Sequence, residues 1–352
     1  MTEISTGKNN VSEDQIRERA LAFQGSRVLL SACELGLFTV LGDGERSKEE
    51  VAMTLKTESR ATDRLLNALC ALGLVKKKNG RFSNTPLTLR YLVKGKPEYI
   101  ASLMHYVHLW DSWSTLTQAV REGRSVVARP INERGDKWLK SFIAAMHERA
   151  KRHASSVVAM IELSHVSRIL DVGGGSGAYA MAFVQAKKGI RATVFDLPNV
   201  VPLTQKYITE EGFSDKVETV AGDYNTDDLS SGFDLIFLSA IIHSNSPEQN
   251  QALLGKGFHA LNPGGQLVIQ DFIMDEDRTT PTFGALFALN MLVGTEAGDT
   301  YTEGEVRTWM RGAGLSNIHR KDTEIGTTLM IGGKGETIPR RTATVFRGEK
   351  HR

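Results

Sequence analysis
The chain has 352 residues, enough for two domains and a sizeable core, and with 41% hydrophobic and 24% charged residues it has the balance of an ordinary soluble protein. Lysine plus arginine total 43 against 41 for aspartate plus glutamate, a formal net charge of +2, which gives no support for a nucleic acid or other polyanionic partner. No apolar run approaches the roughly 20 residues that span a bilayer, and the polar, partly acidic stretch Met1–Asp14 lacks the pattern of a signal peptide. A cytoplasmic protein without membrane contact is expected.

Residues 1 to about 14 read as a disordered leader. From Gln15 to Leu41 a helical region follows, with Leu29, Leu30, Cys33, Leu37 and Phe38 crowding its apolar side, until Gly42-Asp43-Gly44 breaks it. Ser47 followed by Glu50 fits a capping box and opens a short helix through Leu55. A third helix runs from about Arg60 to Leu72 and stops at Gly73. Leu74–Lys78 and Arg81–Ser83, joined by Asn79-Gly80, then read as a hairpin. Three helices and a hairpin make a winged helix. Its third helix carries Leu65, Leu66, Leu69 and Leu72 but only Arg60 and Arg64 as bases, with Asp63 between them. That surface suits packing better than phosphate contact, so residues 15–98 read as a scaffold or dimerisation module rather than a DNA reader. Cys33 and Cys70 lie in apolar helical patterns and read as core thiols, not as a disulfide or a metal site.

Residues 99–165 read as a helical linker. One helix spans Ile100 to Val120 with Met104, Tyr106, Trp110 and Trp113; another runs from Asp136 to Ile161 with Trp138, Phe142 and Met146. Aromatics and methionines at this spacing serve as core more often than as pocket. Between two domains, where ligand pockets form, one helix can do both.

The catalytic half, residues 166–335, begins with Arg168-Ile169-Leu170-Asp171-Val172-Gly173-Gly174-Gly175-Ser176-Gly177 and the helix-forming run Ala178–Lys187. That order reads as strand, tight turn, helix, with glycines where a side chain would block the approach of a ligand to the backbone. The glycine spacing by itself also fits a dinucleotide fingerprint. Ile190–Phe195 forms a second strand ending in Asp196, close to 20 residues past the turn, where an acid accepts from ribose hydroxyls of either a dinucleotide or an adenosyl compound. A third strand, Lys216–Ala221, ends in Gly222-Asp223-Tyr224. Asp223 can accept from the adenine amine or cap a helix, and Tyr224 can cover the adenine ring. Phe233–Leu238 is a fourth strand with Ser239 and His243 beyond its end, and Gly264-Gly265 leads into a fifth, Gln266–Phe272, carrying Asp271. Helices at Phe283–Val293 and Glu303–Ala313 and strands at Ile318–Lys321 and Thr328–Ile331 complete the domain; residues 336–352 form a basic tail. The expected fold is α/β, a Rossmann-like sheet with helices on both faces, preceded by an all-α, winged-helix domain.

Asp-Val-Gly-Gly-Gly-Ser-Gly at 171–177, Phe-Asp-Leu-Pro at 195–198, Gly-Asp-Tyr at 222–224, Asn-Pro-Gly-Gly at 262–265 and Leu-Asn-Met-Leu-Val at 289–293 occur in register. Together they resemble the S-adenosylmethionine-dependent O-methyltransferases of the plant caffeic acid and bacterial polyketide type, over residues 20 to 333. The resemblance implies that the cofactor is S-adenosyl-L-methionine, that the N-terminal module forms a homodimer, and that the acceptor is a hydroxylated small molecule. It implies a cofactor site of Gly173, Gly175, Asp196, Leu197, Asp223, Tyr224 and Ser239, with His243 as general base and Asp271 beside it. Phe142, Met146, Asn290 and Met291 fall where the family lines its acceptor pocket. Two departures stand out. The family's His-Asp-Trp-Pro is His243-Ser244-Asn245-Ser246-Pro247 here, and its second carboxylate is replaced by Thr300, with Glu296 the nearest acid in sequence.

Methyl transfer from a sulfonium is a direct displacement, so the protein must align the acceptor oxygen and remove its proton. A histidine suits the second task. His105, His108 and His319 read as surface residues, and His147 and His153 as helix-surface residues on the linker. His243 differs by lying on the ligand edge of the sheet with Asp271 on the next strand. Two other readings remain open: a same-fold enzyme that uses the bound cofactor for decarboxylation, hydroxylation or pericyclic chemistry, and a winged-helix regulator, for which the glycine loop would be superfluous.

Overall fold
The computed structural model describes residues 11–129 and 131–336; most of the expected leader and the basic tail beyond 336 lie outside the described residues. The chain divides into two compact units, Met1–Ser114 with Gly135–Glu148, and Thr115–Arg134 with Arg149–Arg352.

In the first unit, α1 (Glu13–Leu21), α2 (Phe23–Leu35) and α3 (Leu37–Leu41) occupy what the sequence pattern suggests is one helical region. Gly36, at φ +75°, ends α2 in the left-handed conformation with its N–H donating to the carbonyls of Ala32 and Cys33. Ser12 caps α1 with Gln15 closing a capping box, so helix begins inside the expected leader. Then come β1 (Glu45–Ser47), α4 (Lys48–Leu55) behind the Ser47–Glu50 capping box, α5 (Ser59–Ala71), β2 (Val75–Lys78), β3 (Arg81–Asn84) and α6 (Pro86–Tyr91). Asn79 and Gly80 both have positive φ, 49° and 76°, as a two-residue hairpin turn requires. The strands form an antiparallel sheet in the order β1-β3-β2. Ala32, Leu37, Phe38, Leu41, Val51, Leu66, Leu69, Val75 and Phe82 fill this unit's core. Cys33 and Cys70 are free thiols, and burial pushes the Cys33 thiol up to about 11, as befits a packing residue.

The expected helix over Ile100–Val120 is two: α7 (Ser102–Trp113) in the first unit and α8 (Leu116–Glu122) in the second. The long α9 (Asp136–Val158) passes from the first unit to the second after Glu148.

The second unit is built on β4 (Arg168–Val172), α10 (Ala178–Ala186), β5 (Arg191–Asp196), α11 (Val201–Glu210), β6 (Val217–Ala221), β7 (Phe233–Ser239), α12 (Pro247–Ala260), β8 (Leu261–Asp271), β9 (Ile273–Met274), α13 (Thr282–Gly294), β10 (Tyr301–Thr302), α14 (Glu303–Gly312), β11 (Ser316–Asp322) and β12 (Thr328–Gly333). Seven strands form one sheet in the order β11-β12-β8-β7-β4-β5-β6. The five from β8 to β6 are parallel, whereas β12 is antiparallel to both its neighbours. A parallel strand covered on both faces must be apolar on both, and Ile169, Leu170 and Val172 of β4 are all buried. The chain leaves β4 for β5 on one side and returns to β7 on the other, so β4 is the switch point where the loops diverge and leave a crevice. The small parallel pair β9–β10 and the helix α12 were not read from the sequence. Ser246 with Gln249 caps α12 and Pro247 follows, a start signal the residues do carry.

Candidate active site
The glycine turn follows β4 directly. Gly173, Gly175 and Gly177 have φ of 65°, 57° and 75°, a region that side chains with a Cβ rarely adopt. A Cβ on Gly173 would lie 2.3 Å from Ile241 Cδ1, and one on Gly174 2.6 Å from the Asp171 carboxyl. The turn is therefore packed closely against Ile241 and Asp171, with no room for side chains at these positions. Asp196, at the end of β5, is buried and reaches across to it: Oδ2 accepts from the Gly175 N–H at 2.7 Å and Oδ1 from the Leu197 N–H at 2.7 Å. Burial raises its pKa to about 6, although the two amide donors act against the shift.

Asp171 is the acid that sequence reasoning passed over. It lies under the turn, 1% exposed, and neither of its oxygens has a hydrogen-bond partner. Burial lifts its pKa to about 7; the Ala180 amide, short of hydrogen-bonding geometry, offsets this in part and the Asp196 charge adds to it. A buried polar group without a partner costs free energy, and the acid at the carboxyl end of the first strand was the available signal. Orphaned acceptors under a cradle that a Cβ would fill are the features a cationic, adenosyl-bearing cofactor needs, so the residues present fit S-adenosylmethionine.

The third strand's end is more local than expected. Asp223 Oδ1 accepts from the Asn225 N–H at 2.8 Å, and the Asp223 carbonyl accepts from Thr226 and Asp227, so the residue opens a turn and caps no helix. Tyr224 lies against the glycine turn, 3.6 Å from where a Gly173 Cβ would sit, and burial, ahead of the charges on Asp196 and Asp223, raises its phenol pKa. Ser239, at the end of β7, donates to Gln270 Oε1 at 2.9 Å.

His243 occupies a short 3-10 turn, Ile242–Ser244, just past β7. Its Nδ1 lies 2.7 Å from Asp271 Oδ1, and its backbone N–H points to Asp271 Oδ2 at 3.4 Å. Asp271 also accepts from the Phe272 N–H at 2.8 Å. An ionised acid only accepts, so Nδ1 carries the proton and Nε2 the lone pair. Nε2 has no hydrogen bond among the described residues. Around the imidazole stand phenyl rings the sequence pattern did not single out: Phe287 edge-on at 4.9 Å, Phe272 at 6.5 Å, and Phe283 stacked on Phe287 at 5.8 Å.

The altered segment after His243 forms a buried amide network. Asn245, 2% exposed, donates to Asn250 Oδ1 at 3.1 Å, and its Oδ1 accepts from the Tyr224 hydroxyl at 3.4 Å. Asn250 donates to the Ile242 carbonyl at 2.8 Å, and the Tyr301 hydroxyl donates to the Asn245 carbonyl. The turn that bears His243 is thus tied to the segment that bears Tyr224. At the position of the missing second acid, Thr300 is buried and its hydroxyl donates to the Gly284 carbonyl at 3.4 Å. Its neighbour Asp299 donates its N–H to the His243 carbonyl at 3.0 Å, while its carboxylate accepts from the Thr300 N–H and lies 3.7 Å from Arg278. Glu296 is exposed.

Of the expected acceptor-lining residues, Asn290 and Met291 lie on α13, Asn290 half-buried and Met291 buried. Phe142 and Met146 belong to the first unit, where Phe142 stacks on Trp138 at 5.0 Å.

A parallel sheet with its switch point at a glycine turn, an acid closing that turn from the next strand, and orphaned acceptors beside it are the features of a Rossmann-like site for an adenosyl-bearing cofactor. Residues 113–316 match the O-methyltransferase domain and residues 18–94 the O-methyltransferase dimerisation domain, and the chain belongs to that family. It is similar to 3-hydroxy-5-methyl-1-naphthoate 3-O-methyltransferase of Streptomyces sahachiroi, with 34% identity over 300 residues, 83% of this chain and 86% of that one. PigF of Serratia sp., solved with SAH, matches with a TM-score of 0.85 at 26% identity over 92% of this chain and 100% of that one. Human N-acetylserotonin methyltransferase in complex with SAM matches with a TM-score of 0.80 at 27% identity over 95% and 100%. The protein is an O-methyltransferase that uses S-adenosylmethionine and carries a dimerisation domain. No helix among the described residues is long and apolar enough to cross a membrane.

Proposed function
We propose that the enzyme methylates a phenolic or enolic hydroxyl of a small molecule, with His243 as general base and Asp271 orienting it. The observation that carries this reading is the 2.7 Å contact between His243 Nδ1 and Asp271, which leaves Nε2 without a partner among phenyl rings. When bound, S-adenosylmethionine supplies a methyl group on a sulfonium that leaves without further activation. The protein's share is then positioning and proton removal. Phe283 and Phe287 offer apolar surface to a planar acceptor, with the buried Phe272 packed behind them. A phenol with a pKa near 10 is mostly protonated at neutral pH, whereas an ordinary histidine, near 6.5, is mostly neutral and able to accept. Nε2 takes the hydroxyl proton as the oxygen forms its new bond, and Asp271, held by the Phe272 amide, stabilises the imidazolium. Such proton transfer contributes about 10²–10⁴ in rate.

On the same reading, Gly173, Gly175, Asp196, Leu197, Tyr224 and Ser239 hold the cofactor, and Asp171 receives donors from it. Asp223 adds its second oxygen, which has no partner among the described residues. Residues 15–98 act as a winged-helix dimerisation module, consistent with apolar side chains left exposed there, among them Leu21, Phe23, Leu72 and Leu87. Residues 99–165 serve as the linker, 166–335 as the methyl-transfer domain. Incubation with cofactor labelled in its methyl group and a panel of phenols and enols tests the proposal. The expected product is a labelled ether, formed by a protein that light scattering at micromolar concentration shows to be a dimer. Absence of label from every hydroxylated acceptor would count against the reading.

A further inference from the structure
The second unit contains a cation at this site that the chemistry above does not use. Arg149, on α9, places its guanidinium carbon 5.1 Å from the centre of the Phe272 ring. Phe272 is the ring that stands 6.5 Å from His243 and 4.7 Å from Phe287. Its charge also counters a small part of the rise that burial imposes on the Tyr179 phenol. Arg149 therefore stands over the residue that follows β8, beside Asp271 and the rings around His243. It is exposed, and it makes no ion pair or hydrogen bond among the described residues. Most arginines of this chain that the structure places beside an acid are paired with it: Arg81 with Glu50, Arg307 and Arg320 with Glu303, Arg278 with Glu305.

We infer that Arg149 is a recognition residue for an anionic group on the acceptor, and that the preferred acceptor is a hydroxylated aromatic carboxylate. The inference rests on the methyl-transfer reading for the hydroxyl and adds the second functional group. Its electrostatic basis is direct. Asp171 and Asp196 lie at the carboxyl ends of neighbouring strands on this edge of the sheet, so a carboxylate brought in by the acceptor needs a cation to meet it. Arg149 is that cation. Its planar fork matches a carboxylate bidentately, and its seat on the Phe272 ring holds the fork without tying up its N–H donors. Phe272 is buried between the two groups, with His243 6.5 Å and the Arg149 guanidinium 5.1 Å from its ring centre, so a planar bicyclic acceptor lying across that side of the site can present its hydroxyl to Nε2 and its carboxylate to Arg149. The Streptomyces sahachiroi relative is named for a hydroxynaphthoate, a molecule of this class.

The test is equilibrium binding of 3-hydroxy-2-naphthoate and 2-naphthol to the full-length enzyme saturated with S-adenosylhomocysteine, by calorimetry. The wild type should prefer the carboxylate about ten-fold or more. In Arg149→Gln that preference should fall about ten-fold, and Arg149→Lys should restore part of it. Equal affinity of the wild type for the two probes would overturn the inference, as would an Arg149→Gln variant that keeps the wild-type preference. Because no turnover is involved, a preserved preference in an enzyme that methylates neither probe would leave the anion site standing and count against the proton-abstraction reading alone.

Discussion

Asp171 and Asp271 end two strands of the same sheet, β4 and β8, with β7 between them. Both are almost fully buried, at 1% and 2% exposure, yet their surroundings are opposite. Asp271 accepts from the Phe272 amide and the His243 ring, with the His243 amide at longer range, so both its oxygens have partners within the fold. Asp171 has no partner for either oxygen. The first is a finished device: its donors come from the chain, and it holds a ring in one tautomer and one direction. The second is unfinished: the chain buries it without donors, and on the proposed reading the cofactor supplies them. On the proposed reading, an orienting acid and a ligand-receiving acid are told apart by where their hydrogen bonds end.

The comparison can be broken most forcefully at His243. His243→Ala should lower the turnover rate by about 10²–10⁴ while leaving cofactor affinity nearly unchanged, because the cofactor side of the site rests on other residues. The deficit should narrow as pH rises towards the pKa of the acceptor phenol, where ionisation needs no base. Rate–pH profiles of both enzymes with cofactor calorimetry check this, and a variant that loses cofactor binding would make the histidine structural.

Asp271→Asn should cost less, about 10–100-fold in rate, since the base stays in place and only its orientation and its counter-charge are lost. An amide opposite Nδ1 can donate as well as accept, so the tautomer is no longer set by its partner. The imidazole nitrogen shifts of the variant, read by NMR, should then show both tautomers where the wild type shows one.

Asp171→Asn gives the smallest effect and the most discriminating one, because stability and binding should move in opposite directions. The folded-state pKa of about 7 lies above the ordinary carboxyl value of 3.8. The fold therefore binds a proton that the unfolded chain releases. Asp171's contribution is fully present below about pH 4 and is lost as pH rises through about 7. Thermal melts of the apo wild type should show this decline, and the variant, which cannot ionise there, should show a shallower one. At pH 8 the variant should melt higher than the wild type and bind S-adenosylmethionine more weakly. A variant with unchanged cofactor affinity would show that Asp171 is a burden on the fold without a ligand to receive.

Much of this enzyme was legible in the chain itself. The glycine turn after an apolar run, Asp196 at the end of the next strand, and His243 past β7 with Asp271 one strand on all follow from residue order. In a parallel sheet every strand delivers its carboxyl end to the same edge, so order along the chain becomes position in the site. Local signals served equally well at Ser47–Glu50 and at Asn79-Gly80, where the conformation depends on residues within a turn. They fell short at Gly36, whose left-handed cap divides a run that reads as one helix, because apolar periodicity continues across it.

What the tertiary structure alone decided is every relation between residues distant in sequence. That Asp171 has no partner is a statement about what does not surround it, and no local pattern encodes that. The amide network from Tyr224 through Asn245 to Tyr301 joins segments 77 residues apart at its ends, and in the sequence it appears only as a departure from a family motif. Arg149 is one basic residue among several on a long helix. It becomes a candidate for anion recognition only because folding sets its guanidinium over Phe272, more than a hundred residues onward. Hydrogen bonds and charge pairs act over a few ångströms of space, whatever the length of chain between them, and so the sequence determines which groups exist and the packing determines which of them meet.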